Sequence, residues 1–324
     1  MGSLRVEYVA GLATVQDLGR DGYRALGVPV SGALDRLSAV YANALVGNKP
    51  RSAVIEVFGA ISLKLLSNAV VAVTGGHPRV FVDNVEVKSW MPILCSRSSV
   101  LKVAPSGVGR IHYIAVSGGI VCEEVLGSKS TYVRGGMGCL GRPLKVGDVF
   151  EVSPIDVGYV WSRVADLRPP SNLVEKHVKL ESSTLLRATE GVHSYLLEDL
   201  NTLLRNEYIV AVESDRMGYR LEGTPLSSAG RLGRLPSIPT DRGYVQVPPD
   251  GRPIVLMSDA QTTGGYAVAL HVLPRDTDSL AQLNPGQRVR FKLVDISEAD
   301  SEVSNYLKEL EEPILQREEL EYWV

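Results

Sequence analysis

Cysteine is scarce. Cys95, Cys122 and Cys139 are the only three in 324 residues, too few and too scattered for a disulfide framework. No C-x-x-C pair or clustered His/Cys spacing suggests zinc, and no metal is expected. The five histidines, His77, His112, His177, His193 and His271, lie apart and read as structural or surface residues. Long apolar runs are also missing. The N-terminal stretch MGSLRVEYVAGLATVQDLG lacks the core of a signal peptide, and no run reaches transmembrane length, so a cytoplasmic protein with no membrane partner is expected. Charge is nearly balanced at −3, which offers nucleic acid no attraction. Several catalytic signatures are absent. There is no G-x-x-x-x-G-K-[ST], because Gly135–Arg142 (GGMGCLGR) lacks the Lys-Ser/Thr pair. No G-x-G-x-x-G follows a strand and opens a helix, no G-x-S-x-G elbow occurs, and no Lys stands between two methionines as in a biotin carrier.

What is present reads as mainly β. Hydrophobic content of 44% and charge of 22% are ordinary for a globular chain of this length, which suits two domains or one large one. Short runs rich in Val, Ile and Leu recur between Gly, Pro, Asn, Asp and Ser: Leu4–Val9, Ala53–Val57, Ile61–Leu66, Ala69–Val73, Val80–Val82, Val100–Val103, Ile111–Val116 and Val149–Val152. Pro92 and Pro105 are expected to end strands. The rhythm resumes at Tyr208–Val212, Tyr244–Val247, Pro253–Met257, Val268–Val272 and Arg288–Leu293, and implies barrels or sandwiches rather than βαβ units. Helices are expected at Leu37–Val46, with Asp35 as cap, at Tyr195–Leu204, and in the amphipathic stretch from Ile296 to Pro313. The resulting domains are residues 1–165, a linker at 166–185, residues 186–296, and a C-terminal helical tail at 297–324. An echo links the halves: R-x-G-Y-R-x-x-G occurs at Arg20–Gly27 and at Arg216–Gly223, followed by Thr74-Gly75-Gly76 and Thr263-Gly264-Gly265 respectively. Two related β-barrel halves are inferred.

Four polar, Gly-rich stretches carry the candidate chemistry. Val15–Asp35 (VQDLGRDGYRALGVPVSGALD) keeps no helical or strand period, as in a loop lining a cleft or an ordinary connection. Ser117–Gly141 contains Gly127–Thr131 (GSKST), whose successive N–H groups suit an anion nest, although a long surface loop has the same composition. Glu213–Arg220 packs four charges around a glycine, as a ligand site or as a structural ion pair of Asp215 with Arg216 or Arg220. Asp259–Tyr266 (DAQTTGGY) offers amide, hydroxyl and backbone groups that suit a planar amide or ureido ligand, or simply a polar turn.

Together, VQDLGRDGYRALGVPVSGALD, ANALVGN, GSKSTYVRGGMGCLGRPLKVGD, SDRMGYRLEG and VPPDGRPIVLMSDAQTTGGY resemble the allophanate hydrolase subunit 2 family, also called the biotin-dependent carboxyltransferase family. The resemblance runs from about Val6 to Phe291 and implies cyclophilin-like β-barrels in tandem. It also implies a partner of the allophanate hydrolase subunit 1 type, the B component of 5-oxoprolinase. Members of this family serve one of two reactions. One is the ATP-driven opening of 5-oxoproline to glutamate, in which the A and B components of 5-oxoprolinase take part. The other is carboxyl transfer from carboxybiotin to urea. A regulatory role in a two-protein complex is the reading from another class. Both chemistries polarise an unreactive amide. ATP is therefore expected at the level of the complex, and biotin only under the carboxyl-transfer alternative. The matching positions imply Gln16, Arg20, Tyr23, Ser31, Arg216, Tyr219, Gln261, Thr262, Thr263 and Tyr266 as substrate contacts, with Arg20 or Arg216 able to fork a carboxylate or phosphate. Asp17, Asp35 and Asp215 are the acid–base candidates. The chain departs from the family where Ala267-Val268 replaces the usual Pro and basic residue, where Ala260 stands for a larger polar residue, and where Cys139 takes a glycine position.

Overall fold

The computed structural model describes residues 2–177 and 183–318. The strands are β1 (Gly2–Gln16), β2 (Val54–Leu65), β3 (Ala69–Gly75), β4 (Arg79–Val82), β5 (Val85–Val87), β6 (Pro92–Cys95), β7 (Val100–Ala104), β8 (His112–Val116), β9 (Ile120–Val121), β10 (Val149–Val152), β11 (Leu167–Arg168), β12 (Thr184–Glu190), β13 (Tyr208–Val210), β14 (Gly218–Glu222), β15 (Ile238–Pro239), β16 (Tyr244–Val247), β17 (Ile254–Leu256), β18 (Thr263–Gly264), β19 (Ala267–Val272), β20 (Arg288–Leu293) and β21 (Gln316–Arg317). The helices are α1 (Arg36–Leu45), α2 (Val157–Val164), α3 (Ser171–His177), α4 (Leu200–Arg205), α5 (Ser227–Leu232), α6 (Pro274–Ala281) and α7 (Ile296–Glu311). Two compact units result. One comprises the described residues of Met1–Gly19, Asp35–Lys179 and Glu309–Val324, the other those of Arg20–Leu34 and Leu180–Lys308. The linker and tail expected at 166–185 and 297–324 include residues 178–182 and 319–324, which lie outside the described residues.

In the first unit a ten-stranded sheet follows the path β5-β4-β7-β2-β1-β10-β9, with β8 joined to β2 and β3, and β6 to β3. Period-2 alternation turns Leu4, Val6, Ala13 and Val15 of β1 and Ile55, Val57, Ile61, Leu63 and Leu65 of β2 into one buried cluster. Each large side chain among them contributes roughly 1.5–3 kcal/mol on burial. The sequence breaks β2 at Phe58-Gly59-Ala60, but the strand runs on. Gly59 faces Gly11 in register, with φ of 113° and 90°, and a Cβ at Gly59 would lie 2.3 Å from the Ala10 carbonyl oxygen. Only glycine permits that approach. Pro92 opens β6 rather than ending a strand. β6 pairs on one side only, with β3, and an edge position tolerates the missing N–H. Helix α1 starts where expected, because the Asp35 carboxylate accepts from the Ser38 N–H at 3.0 Å.

In the second unit β12-β19-β16-β17-β14-β13-β20 close into a seven-stranded barrel, with β12 and β20 parallel. The mainly β architecture agrees with cyclophilin-like barrel halves. The helix expected at Tyr195–Leu204 is a 3-10 turn at Ser194–Leu196 followed by the short α4. The echoed octapeptides occupy different structures. Arg20–Gly27 is a loop with a 3-10 turn at Arg24–Leu26, whereas Arg216–Gly223 contains the barrel strand β14. The two T-G-G turns differ as well: Thr74-Gly75 ends β3, while Thr263-Gly264 forms β18 of a two-stranded sheet with β15.

Candidate functional site

In the first unit Asp17 sits at the end of β1 in a cradle of donors. Its Oδ1 accepts from Gly19 N at 2.8 Å, from Ser128 Oγ at 2.7 Å and from Ser130 Oγ at 2.5 Å, and its Oδ2 accepts from Lys129 N at 2.7 Å. GSKST does hold an anion, the chain's own Asp17 carboxylate, but with two hydroxyls and the single N–H of Lys129 rather than with the run of successive N–H groups expected. Phosphate therefore does not fit there. The preceding Gln16 is fully buried and donates to Thr14 Oγ1 and to the Thr131 carbonyl, which ties β1 to the same loop. Asp35 is likewise fully buried. It caps α1, and its backbone N–H donates to the hydroxyl of Tyr113, which in turn donates to Glu56 at 2.8 Å. Burial, beside the Glu56 and Asp35 carboxylates, pushes the Tyr113 phenol well above its ordinary value, so it stays a neutral donor.

The second unit holds the excursion Arg20–Leu34. Arg216, 5% exposed, forks onto Asp259, with Nε to Oδ2 at 2.8 Å and Nη2 to Oδ1 at 2.9 Å. The same Nη2 donates to the Gly32 carbonyl at 2.8 Å, and Ser31 Oγ donates to Asp259 Oδ1 at 2.6 Å. Ser31 adopts a φ of 58°, unusual for a residue other than glycine, and its N–H donates to the Ser258 carbonyl. Arg24 pairs with Asp241, and Arg242 donates to both Leu34 O and Asp278. The excursion is thus pinned at several points, while Asp21 and Ala25–Gly27 are exposed. Arg20 is buried, Tyr23 half-buried.

The remaining predicted residues divide by exposure. Tyr219 is fully buried and donates to the Ala281 carbonyl at 2.7 Å, a packing role inside the barrel. Asp215 is exposed and holds a turn by accepting from Met217 N at 2.8 Å. Gln261, Thr263 and Tyr266 are exposed and Thr262 half-buried, all on or beside the β15–β18 pair. Gln261 Nε2 donates to Gln246 Oε1 at 3.0 Å, and Thr240 Oγ1 donates to the Gln261 carbonyl. Sequence reasoning does not single out Asp259, Ser128, Ser130 or Gln246. Their partners lie far off along the chain, up to 228 residues for Ser31 and Asp259, and only the run of hydroxyls in GSKST hints at them. Among the described residues no group of His, Cys, Asp and Glu could hold a metal ion, and no helix is long and apolar enough to cross a membrane.

The model of the carboxyltransferase domain, subdomain A and B, matches residues 26–293. The chain belongs to this family. Family relatives include the C subunit of 5-oxoprolinase from Haemophilus influenzae, 33% identical over 90% of this chain and 91% of that protein. The protein of the same name from Escherichia coli is 33% identical over 88% and 89%. In structure, this carboxyltransferase-family chain is similar to the Kluyveromyces lactis urea amidolyase, with a TM-score of 0.85 and 25% identity over 95% of this chain. It spans only 20% of that longer chain. These relatives are parts of enzymes.

Proposed function

We propose that this carboxyltransferase-family chain is the C component of an ATP-dependent 5-oxoprolinase. It acts with a B-type partner, and with an A-type chain in the complete enzyme, to open the 5-oxo-L-proline lactam to L-glutamate. The observation that carries this reading is likeness in sequence: the chain is 33% identical to each of two proteins named as the C subunit of 5-oxoprolinase, against 29% and 30% to two named urea amidolyase. The exposed β15–β18 pair supports it. Gln261 and Thr263 supply amide and hydroxyl groups suited to a lactam N–H and C=O, and Tyr266 supplies an aromatic wall beside them. Arg216, whose fork grips Asp259, acts as a support for the segment carrying Arg20 and Tyr23. ATP belongs to the complex. No step is assigned to it on this chain, whose GSKST stretch is engaged with Asp17.

A second reading, carboxyl transfer from carboxybiotin to an amide-like substrate, is favoured by the family itself and by the TM-score of 0.85 with urea amidolyase. The test is ATP hydrolysis by the chain co-expressed with its neighbouring components, with and without 5-oxo-L-proline. Stimulation is expected, and Gln261→Ala should raise KM about tenfold or more by removing an amide contact. No stimulation by a stable complex would contradict the oxoprolinase reading. Consumption of carboxybiotin in the presence of urea would then support the second, and neither activity a regulatory role.

A further inference from the structure

Cys122 and Cys139 are bonded to each other, a cross-link that three scattered cysteines do not foretell and that neither the barrel strands nor the proposed chemistry requires. Their Cα atoms lie 5.5 Å apart, within the span of a disulfide. Cys122 directly follows β9 at the sheet's edge and is half-buried, whereas Cys139 is fully buried in the core. The loop between them contains no named strand, only a 3-10 turn at Val133–Gly135 and two isolated bridges. The loop is thus held by turns and isolated bridges rather than by a sheet or α-helix of its own.

That loop carries three of the four donors that seat Asp17. Cys139 N donates to the Lys129 carbonyl at 2.9 Å, and Thr131 Oγ1 donates to the Cys139 carbonyl at 2.9 Å. The cross-link is therefore one hydrogen bond away on either side of Ser130. The two segments touch without slack, since a Cβ at Gly138 would lie 1.9 Å from the Ser130 carbonyl oxygen. We propose that the Cys122–Cys139 bond is a thiol-responsive clamp on the Asp17 seat. Oxidised, it joins the ends of the loop and keeps residues 128–130 on the carboxylate. Reduced, it lets the seat open.

The reductant is a dithiol. One of its thiolates attacks Sγ of the half-buried Cys122, forming a mixed disulfide, and Cys139 leaves and takes up a proton. The second thiol then displaces Cys122, so two electrons pass to the two cysteines and the reductant becomes a cyclic disulfide. Cys95 stays outside this exchange. It is buried and free, and burial pushes its thiol up to about 12.

The test uses the full chain purified without reductant, and needs no turnover, so it stands whichever amide reaction the chain serves. Thiol titration in denaturant should find one thiol, Cys95, and three after dithiothreitol. Three at the outset would overturn the clamp. Hydrogen exchange of the 127–131 amides should quicken about tenfold or more after dithiothreitol, with the barrel strands unchanged. Cys122→Ser should show the fast exchange without dithiothreitol, and Cys95→Ser should not. If Cys122→Ser fails to fold, the wild-type comparison decides. Exchange that stays slow after three thiols have appeared, or that quickens throughout the chain, would overturn the proposal.

Discussion

Asp17 looks from its neighbours in sequence like an available carboxylate, yet four donors converge on it. Asp17→Ala removes that shared acceptor and should destabilise the chain by ~2–4 kcal/mol, read as a lower urea midpoint with unchanged slope. Asp259→Ala deprives the buried Arg216 guanidinium of its carboxylate fork and should cost ~3–5 kcal/mol, with faster proteolysis between Arg20 and Leu34. His112 gives a pH signature. Burial lowers its folded pKa to about 4, so the unfolded chain takes up the proton first as pH falls. Its contribution, roughly 3 kcal/mol, is full above pH 6.5 and is lost as pH falls toward 4. Burial raises Asp276 to about 6, against the pull of Arg187, so its stabilisation runs the other way and fades as pH rises toward 6. The check is therefore the difference between wild type and His112→Gln: the variant should lose less stability between pH 6.5 and pH 4. At this scale the sequence shows what is local. Asp35 is readable as a cap because Ser38 is three residues away, whereas Asp259 reads only as part of a polar turn, because Arg216 is 43 residues off.

At the scale of elements, β-branched runs between turn residues place most strands, since each run is short and carries its own stops. The misses have physical causes. β14 is hidden because its sequence, GYRLE, puts charge on the exposed face of a strand in a closed barrel. β2 reads as two strands because Gly59 looks like a break, when it is one half of a glycine pair that lets two strands stay in register. Gly59→Ala should therefore cost about 2 kcal/mol or more, since its Cβ meets the Ala10 carbonyl at 2.3 Å and its φ of 113° is strained for any other residue. A lowered thermal midpoint in Gly59→Ala, against little or no loss at the exposed Gly158 of α2, whose φ is not positive, is the check.

For the whole molecule, composition and motif order are enough to read a mainly β chain of the carboxyltransferase family, because strand rhythm and motif order are linear properties of sequence. The division into units is less legible. Arg20–Leu34 belongs with residues from the far half of the chain, and α7 ends among the residues of the first unit. Such crossings depend on long-range pairs, Ser31 with Asp259 and Tyr41 with Glu309, that no local pattern announces. The proposed role turns on this chain being necessary for lactam opening. The decisive measurement is L-glutamate formed from 5-oxo-L-proline and ATP by the reconstituted enzyme, with this chain present and then omitted. ATP-dependent glutamate release that disappears on omission is the predicted result. Glutamate release that continues without the chain, or none from a complete and stable complex, would contradict it.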